Sequence, residues 1–258
     1  MRRTECIALT AFCIMATTSL LSAFGSEPAG QGLLGEARRL ESASRPLDAL
    51  QAYLAALERH PESLEALCAA SYLYGQVGKR DPARRKEYFN RSLALAQRAH
   101  QLDPAHPDAT FALAWAYGGL AMISSAREKV GFAQKIKPLV DYTLERKPDE
   151  DRAWYVLANW RFKIADASML ERAAAKILAG GLPESATFKT AVAAYRRAVE
   201  LKPDSILYRR ELARALEKDG QATQARAEYE AALRLPVRSQ EDPTLLAHCR
   251  AALKRLGE

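Results

Sequence analysis

Residues 204–235 read DSILYRRELARALEKDGQATQARAEYEAALRL, and this stretch decides the fold. Leu212, Leu216, Ala225, Tyr229, Ala232 and Leu233 recur at three- and four-residue steps, so each half of the stretch makes one apolar helical face. Gly220 stands between the halves, where a helix C-terminus calls for a residue free to adopt positive φ. Ala213, Ala225 and Ala232 are small enough for two helix backbones to approach closely. The reading is a helical hairpin. One hairpin cannot bury its own apolar face, so related units must stand beside it.

They do. Ala191, Tyr195 and Ala198 precede Pro203 by 12, 8 and 5 residues, and Ala49, Tyr53 and Ala56 precede Pro61 by the same intervals. The segment ends LERHPES, HQLDPAH, LERKPDE and ELKPDS place Pro61, Pro104, Pro148 and Pro203 in one role. Proline there stops a second helix, because it cannot extend the hydrogen-bond ladder. Order and spacing in residues 204–235 resemble the tetratricopeptide repeat, a helix–turn–helix unit of about 34 residues.

The prolines are separated by 43, 44 and 55 residues, so the units are longer than the plain repeat. Expected units are 32–61, 64–104, 107–148, 151–203 and 204–236, with a capping helix at 243–256 opened by Asp242 as N-cap and Pro243. In the second unit, Gly78-Lys79-Arg80-Asp81-Pro82 is expected to lengthen the turn, with its second helix at 86–102. In the third, the helices are expected at 107–124 and 130–146. The fourth carries an additional apolar-striped helix, SMLERAAAKILAG, stopped by Gly180-Gly181. Ser185 or Thr187 is the N-cap of the helix that follows. The fold class is all-α: a right-handed α-solenoid of about five hairpins plus a cap.

Composition agrees. The 258 residues are 48% hydrophobic, with 13 glycines and 12 prolines, and much of the apolar share is alanine. The net charge of +7 is dispersed rather than blocked, which speaks for a solvated surface and against nucleic acid as a partner. Arg2-Arg3, then an uncharged run from Cys6 to Phe24, then Gly25 and SEPAGQG at 26–32, have the form of a secretory leader over 1–25 and a short linker over 26–31. The expected compartment is periplasmic or extracellular. An uncleaved membrane anchor is the alternative, against which the Thr and Ser content of the run speaks. With the leader gone, Cys68 and Cys249 remain, too far apart along the repeats to pair.

A closer resemblance rests on residues 127–168 (REKVGFAQKIKPLVDYTLERKPDEDRAWYVLANWRFKIADAS), 170–205 (LERAAAKILAGGLPESATFKTAVAAYRRAVELKPDS) and 225–243 (ARAEYEAALRLPVRSQEDP). The span 123–256 resembles the regulator of microtubule dynamics family of divergent tetratricopeptide-repeat proteins. That resemblance implies the helical array, and a link to microtubules, organelle tethering or phospholipid carriage. The leader departs from the family's mitochondrial or cytosolic N-termini, so the fold carries over better than the microtubule role.

No chemistry of an enzyme is visible. There is no phosphate-cradling glycine loop, HExxH pair or GxSxG elbow. His60, His100 and His106 sit beside Pro61, Pro104 and Pro107, where capping is the ordinary role; a metal set of His100 and His106 with Asp103 or Asp108 is the other reading. No catalytic, cofactor-binding or metal-binding residue is assigned, and no cofactor.

The site, if there is one, is the concave wall, which the repeat resemblance puts on the first helix of each unit. It supplies Tyr72 and Gln76 from the second unit, and Phe111 and Trp115 from the third. The fourth supplies Arg152, Tyr155, Asn159, Phe162 and Lys163, and the fifth Arg210, Arg214 and Lys218. The trend runs from aromatic to basic, suiting a protein segment with apolar and acidic groups, or a phospholipid. Arg210 and Arg214, one turn apart, could grip one anion or pair with Glu211 or Glu217. The tryptophans could equally fill the core between repeats.

Overall fold

The computed structural model describes residues 29–257, and within them it is helical throughout. Five antiparallel hairpins follow one another: α1 (Ala29–Ser42) with α2 (Pro46–Arg59), α3 (Leu64–Arg80) with α4 (Arg85–Leu102), and α5 (Pro107–Ala121) with α6 (Ala126–Arg146). The fourth pairs α7 (Asp151–Ala165) with α9 (Phe188–Leu201), with α8 (Met169–Ala179) inserted between them in sequence. The fifth is α10 (Ile206–Lys218) with α11 (Ala222–Leu233), and α12 (Asp242–Gly257) closes the array. The expected leader lies outside the described residues, and α1 starts at Ala29, inside the stretch read as linker.

Alanine sets the close packing. Ala49, Ala66, Ala70, Ala153, Ala191, Ala198, Ala213, Ala225 and Ala232 are completely buried, so neighbouring backbones meet with little between them. Tyr53, Tyr195 and Tyr229 fill the wider gaps of their units, as the repeated spacing requires. First helices touch first helices, α3 with α5 and α5 with α7, and so line the inner face; second helices lie outside. The capping helix packs on both α10 and α11, taking the place of a next first helix. One polar pair is built into this core: Ser71 Oγ donates to the Ser92 carbonyl at 2.9 Å, and Ser92 Oγ to the Ser71 carbonyl at 2.8 Å.

Several boundaries move for local reasons. The helix α3 continues to Arg80, so the turn expected from Gly78 onward begins only at Asp81. Gly78 is there for contact: a Cβ would stand 2.8 Å from the Phe89 ring. The start of α6 is four residues earlier than expected, because Ser125 and Glu128 form a reciprocal capping box. Thr187 rather than Ser185 caps α9; the Ser185 carbonyl instead accepts from Thr190 Oγ1. Asp242 does not cap α12 forward. Its carboxylate turns back to accept from the amides of Arg238 and Ser239, both at 2.8 Å, and so pins the link. Gly180, Gly181 and Gly220 take φ of 72°, 132° and 78°, the left-handed stops expected of them.

Candidate functional site

Four first helices bring the wall residues together as two aromatic nests. In the first, the Tyr72 ring is 4.7 Å from Trp115 and 6.4 Å from Phe111. Trp115 crosses Gly75 and donates from Nε1 to the Tyr72 carbonyl at 3.2 Å. The Arg152 guanidinium lies over both Tyr72 and Phe111, 4.9 and 5.1 Å from their centres, and Glu150 holds it at 2.6 Å. Tyr155 stacks on Tyr208 at 5.1 Å, and Tyr208 Oη donates to Asp151 at 2.7 Å. In the second nest Phe162 meets Phe188 edge-on at 5.4 Å, with Arg214 4.3 Å above its ring. Lys218 pairs with Asp166 at 2.8 Å beside the same Phe188.

Not every wall residue joins. Phe111, Trp115, Tyr155 and Phe162 are buried, so these aromatics build the wall more than they cover it. Asn159 donates back to the Tyr155 carbonyl on its own helix at 3.0 Å. Lys163 is exposed and belongs to neither nest, and Gln76 is half-buried. Arg210 and Arg214 do grip one anion, and it is the chain's own: both reach the carboxylate of buried Glu211, Arg214 at 3.3 Å. Tyr195 Oη, Arg210 Nε and Arg214 Nε are buried nearby and make no hydrogen bond among the described residues.

One wall cation is absent from the sequence reading. Lys79 Nζ sits 3.9 Å from the centre of the Trp115 ring. No carboxylate lies within ion-pair distance among the described residues, and burial lowers its pKa to about 8, against the pull of Glu241 and Glu211. It was hidden because Gly78-Lys79-Arg80-Asp81-Pro82 reads as a turn. The signal was present all the same: Tyr72, Gln76 and Lys79 continue one three- and four-residue spacing. Beside it, Arg80 donates from Nε to Glu241 at 2.6 Å, joining the end of α3 to the link before α12.

One of the histidines beside the prolines has a structural role. His106 caps α5 by accepting the Asp108 amide on Nδ1 at 3.2 Å, while Asp108 pairs with Lys147 at 2.6 Å. No group of three His, Cys, Asp or Glu is placed to hold a metal ion among the described residues. Cys68 and Cys249 are free, and burial pushes the Cys68 thiol up to about 12, away from thiolate chemistry. What the wall presents is cations laid on aromatic faces.

The family model for regulator of microtubule dynamics protein 1-3 matches residues 33–257. The chain belongs to this family. The match takes in the first two units as well as the 123–256 span that carries the resemblance in sequence. Regulator of microtubule dynamics protein 1 of Caenorhabditis elegans is 27% identical over 157 residues, which cover 61% of this chain and 69% of the nematode protein. Among solved structures, a thermophilic tetratricopeptide-repeat protein of Thermus thermophilus superposes with a TM-score of 0.62 at 19% identity, covering 87% of this chain and 99% of that one. A likeness at that identity speaks for the fold, an α-solenoid of helical hairpins.

Proposed function

We propose that the chain is a non-catalytic scaffold that holds an acidic, extended protein segment along the inner face of its repeats, in an exported compartment. The observation that carries this is Lys79: a cation on the inner wall, resting on Trp115, with no carboxylate of the described residues in reach. Every other cation of the two nests already has one. Arg152 has Glu150, Arg210 and Arg214 share Glu211, and Lys218 has Asp166. A carboxylate brought by a partner would pair with Lys79 in a partly dry setting, where a charge-assisted hydrogen bond is strong. A repeat array of this fold supports protein partners in general, and exported placement rests on the leader read in residues 1–25.

Titration with a labelled Asp/Glu-rich peptide tests the site. Lys79→Glu is expected to weaken binding by roughly tenfold or more, equivalent to at least 1.4 kcal/mol, with unchanged helical circular dichroism. Equal binding by the two proteins sinks the site. Mass determination of the N-terminus of the secreted chain tests the leader: an uncleaved Met1 form held in membranes speaks for the anchor.

A further inference from the structure

The inserted helix α8 carries an apolar face that no other part of the described chain covers. It leans on α6, the outer helix of the preceding hairpin, while α7 and α9 close on each other without it. Ala175 is its one fully buried side chain, and Glu171 anchors it to Lys129 at 2.8 Å. Arg172 pins its first turn to the end of α7, donating to the carbonyls of Ala165 and Ala167 at 3.1 and 3.0 Å. Held this way, Met169, Leu170 and Ile177 stand 85, 70 and 83% exposed. Seven- and eight-residue spacing puts them along one side of the helix as a ridge.

The charges beside the ridge are one-sided. On α8 itself, Arg172 and Lys176 form no ion pair among the described residues, and the one carboxylate of the helix, Glu171, is already neutralised by Lys129.

We infer that α8 is a docking element for an anionic bilayer surface, lying in the interface with Met169, Leu170 and Ile177 among the acyl chains and Lys176 at headgroup level. Two features select this occupant. The apolar side chains form a protruding ridge rather than a groove, and a fluid interface accepts a ridge without the matching shape that a protein partner would need. The unpaired cations complement an acidic surface, whereas a second copy would bring the same cations with it. One short helix gives weak, reversible attachment. Because α8 sits on the outer side, docking leaves the inner wall free, and this inference stands independently of the peptide reading.

Co-sedimentation of the full chain with vesicles tests it, using phosphatidylcholine alone and phosphatidylcholine mixed with phosphatidylglycerol. Retention on the anionic vesicles is expected, falling as salt rises, and falling at least tenfold in Leu170→Ser/Ile177→Ser. Both replaced side chains are largely exposed, so the variant should keep its circular dichroism and Tm. Lys176→Glu should weaken retention with the ridge intact. The uncharged run from Cys6 to Phe24 is common to all forms and cannot produce a difference between them. Equal retention of wild type and variant, equal retention on the two vesicle types, or no retention overturns the inference. A wild-type dimer that the double variant disperses, without vesicle binding, overturns it in favour of self-association.

Discussion

Arg80 and Glu241 are 161 positions apart in the chain and 2.6 Å apart in the fold. One ends α3, the other precedes α12, so the winding of the hairpins brings the second unit back to the link before the cap. Both side chains are partly exposed, 25% and 35%, which makes the pair worth about 0.5–1 kcal/mol in stability. Its larger effect is on shape. Arg80→Glu is expected to open the array, seen as a larger radius of gyration in small-angle scattering. Adding Glu241→Arg should restore the wild-type value; failure of the swapped pair to do so would show that the closure does not depend on these charges.

Gly75 fits α3 only because Trp115 fills the place of its side chain. A Cβ there would lie 2.2 Å from Trp115 Nε1. Gly75→Ala is therefore expected to destabilise the fold by about 2–3 kcal/mol, overriding the better helix propensity of alanine. Denaturant unfolding checks this, and a double-mutant cycle with Trp115→Leu should recover much of the loss.

Glu211 is a buried carboxylate between two guanidiniums. Removing it leaves Arg210 and Arg214 with like charges in a confined site, so Glu211→Ala should cost about 3 kcal/mol. Urea titration measures the change, and a cost near zero would mean that the cluster is well hydrated.

Lys79 makes stability depend on alkaline pH. Burial holds its folded-state pKa at about 8, below that of a free lysine, so the unfolded chain keeps the proton more tightly. The burden of the buried charge is present in full below pH 8. Stability should then rise with pH until about 10.4, where the unfolded lysine also loses its proton. Lys79→Met should flatten that rise and give a Tm a few degrees higher near neutrality. Thermal melts of both proteins between pH 7 and 10 decide it.

The hairpins, their proline ends, the left-handed stops at Gly180, Gly181 and Gly220, and the inserted helix were legible in the sequence, because each is written within a few turns of helix. Periodicity names the buried face, and caps and glycines name the ends. The family was legible for the same reason, in the fourth unit and the link to the cap. Part of the wall was legible too: Tyr72, Phe111, Trp115 and Arg152 do meet, since the repeat dictates which positions of each first helix face inward. Tertiary structure decided the rest. Whether Arg214 is a free cation depends on the rotamers that Glu211 and Phe162 allow it, and Lys79 becomes a wall residue only because Gly78 packs on Phe89 and lets α3 run on. Arg80 meets Glu241, and α8 turns its ridge outward, through the way the helices of different units pack on one another. Spacing along one helix carries no record of that packing.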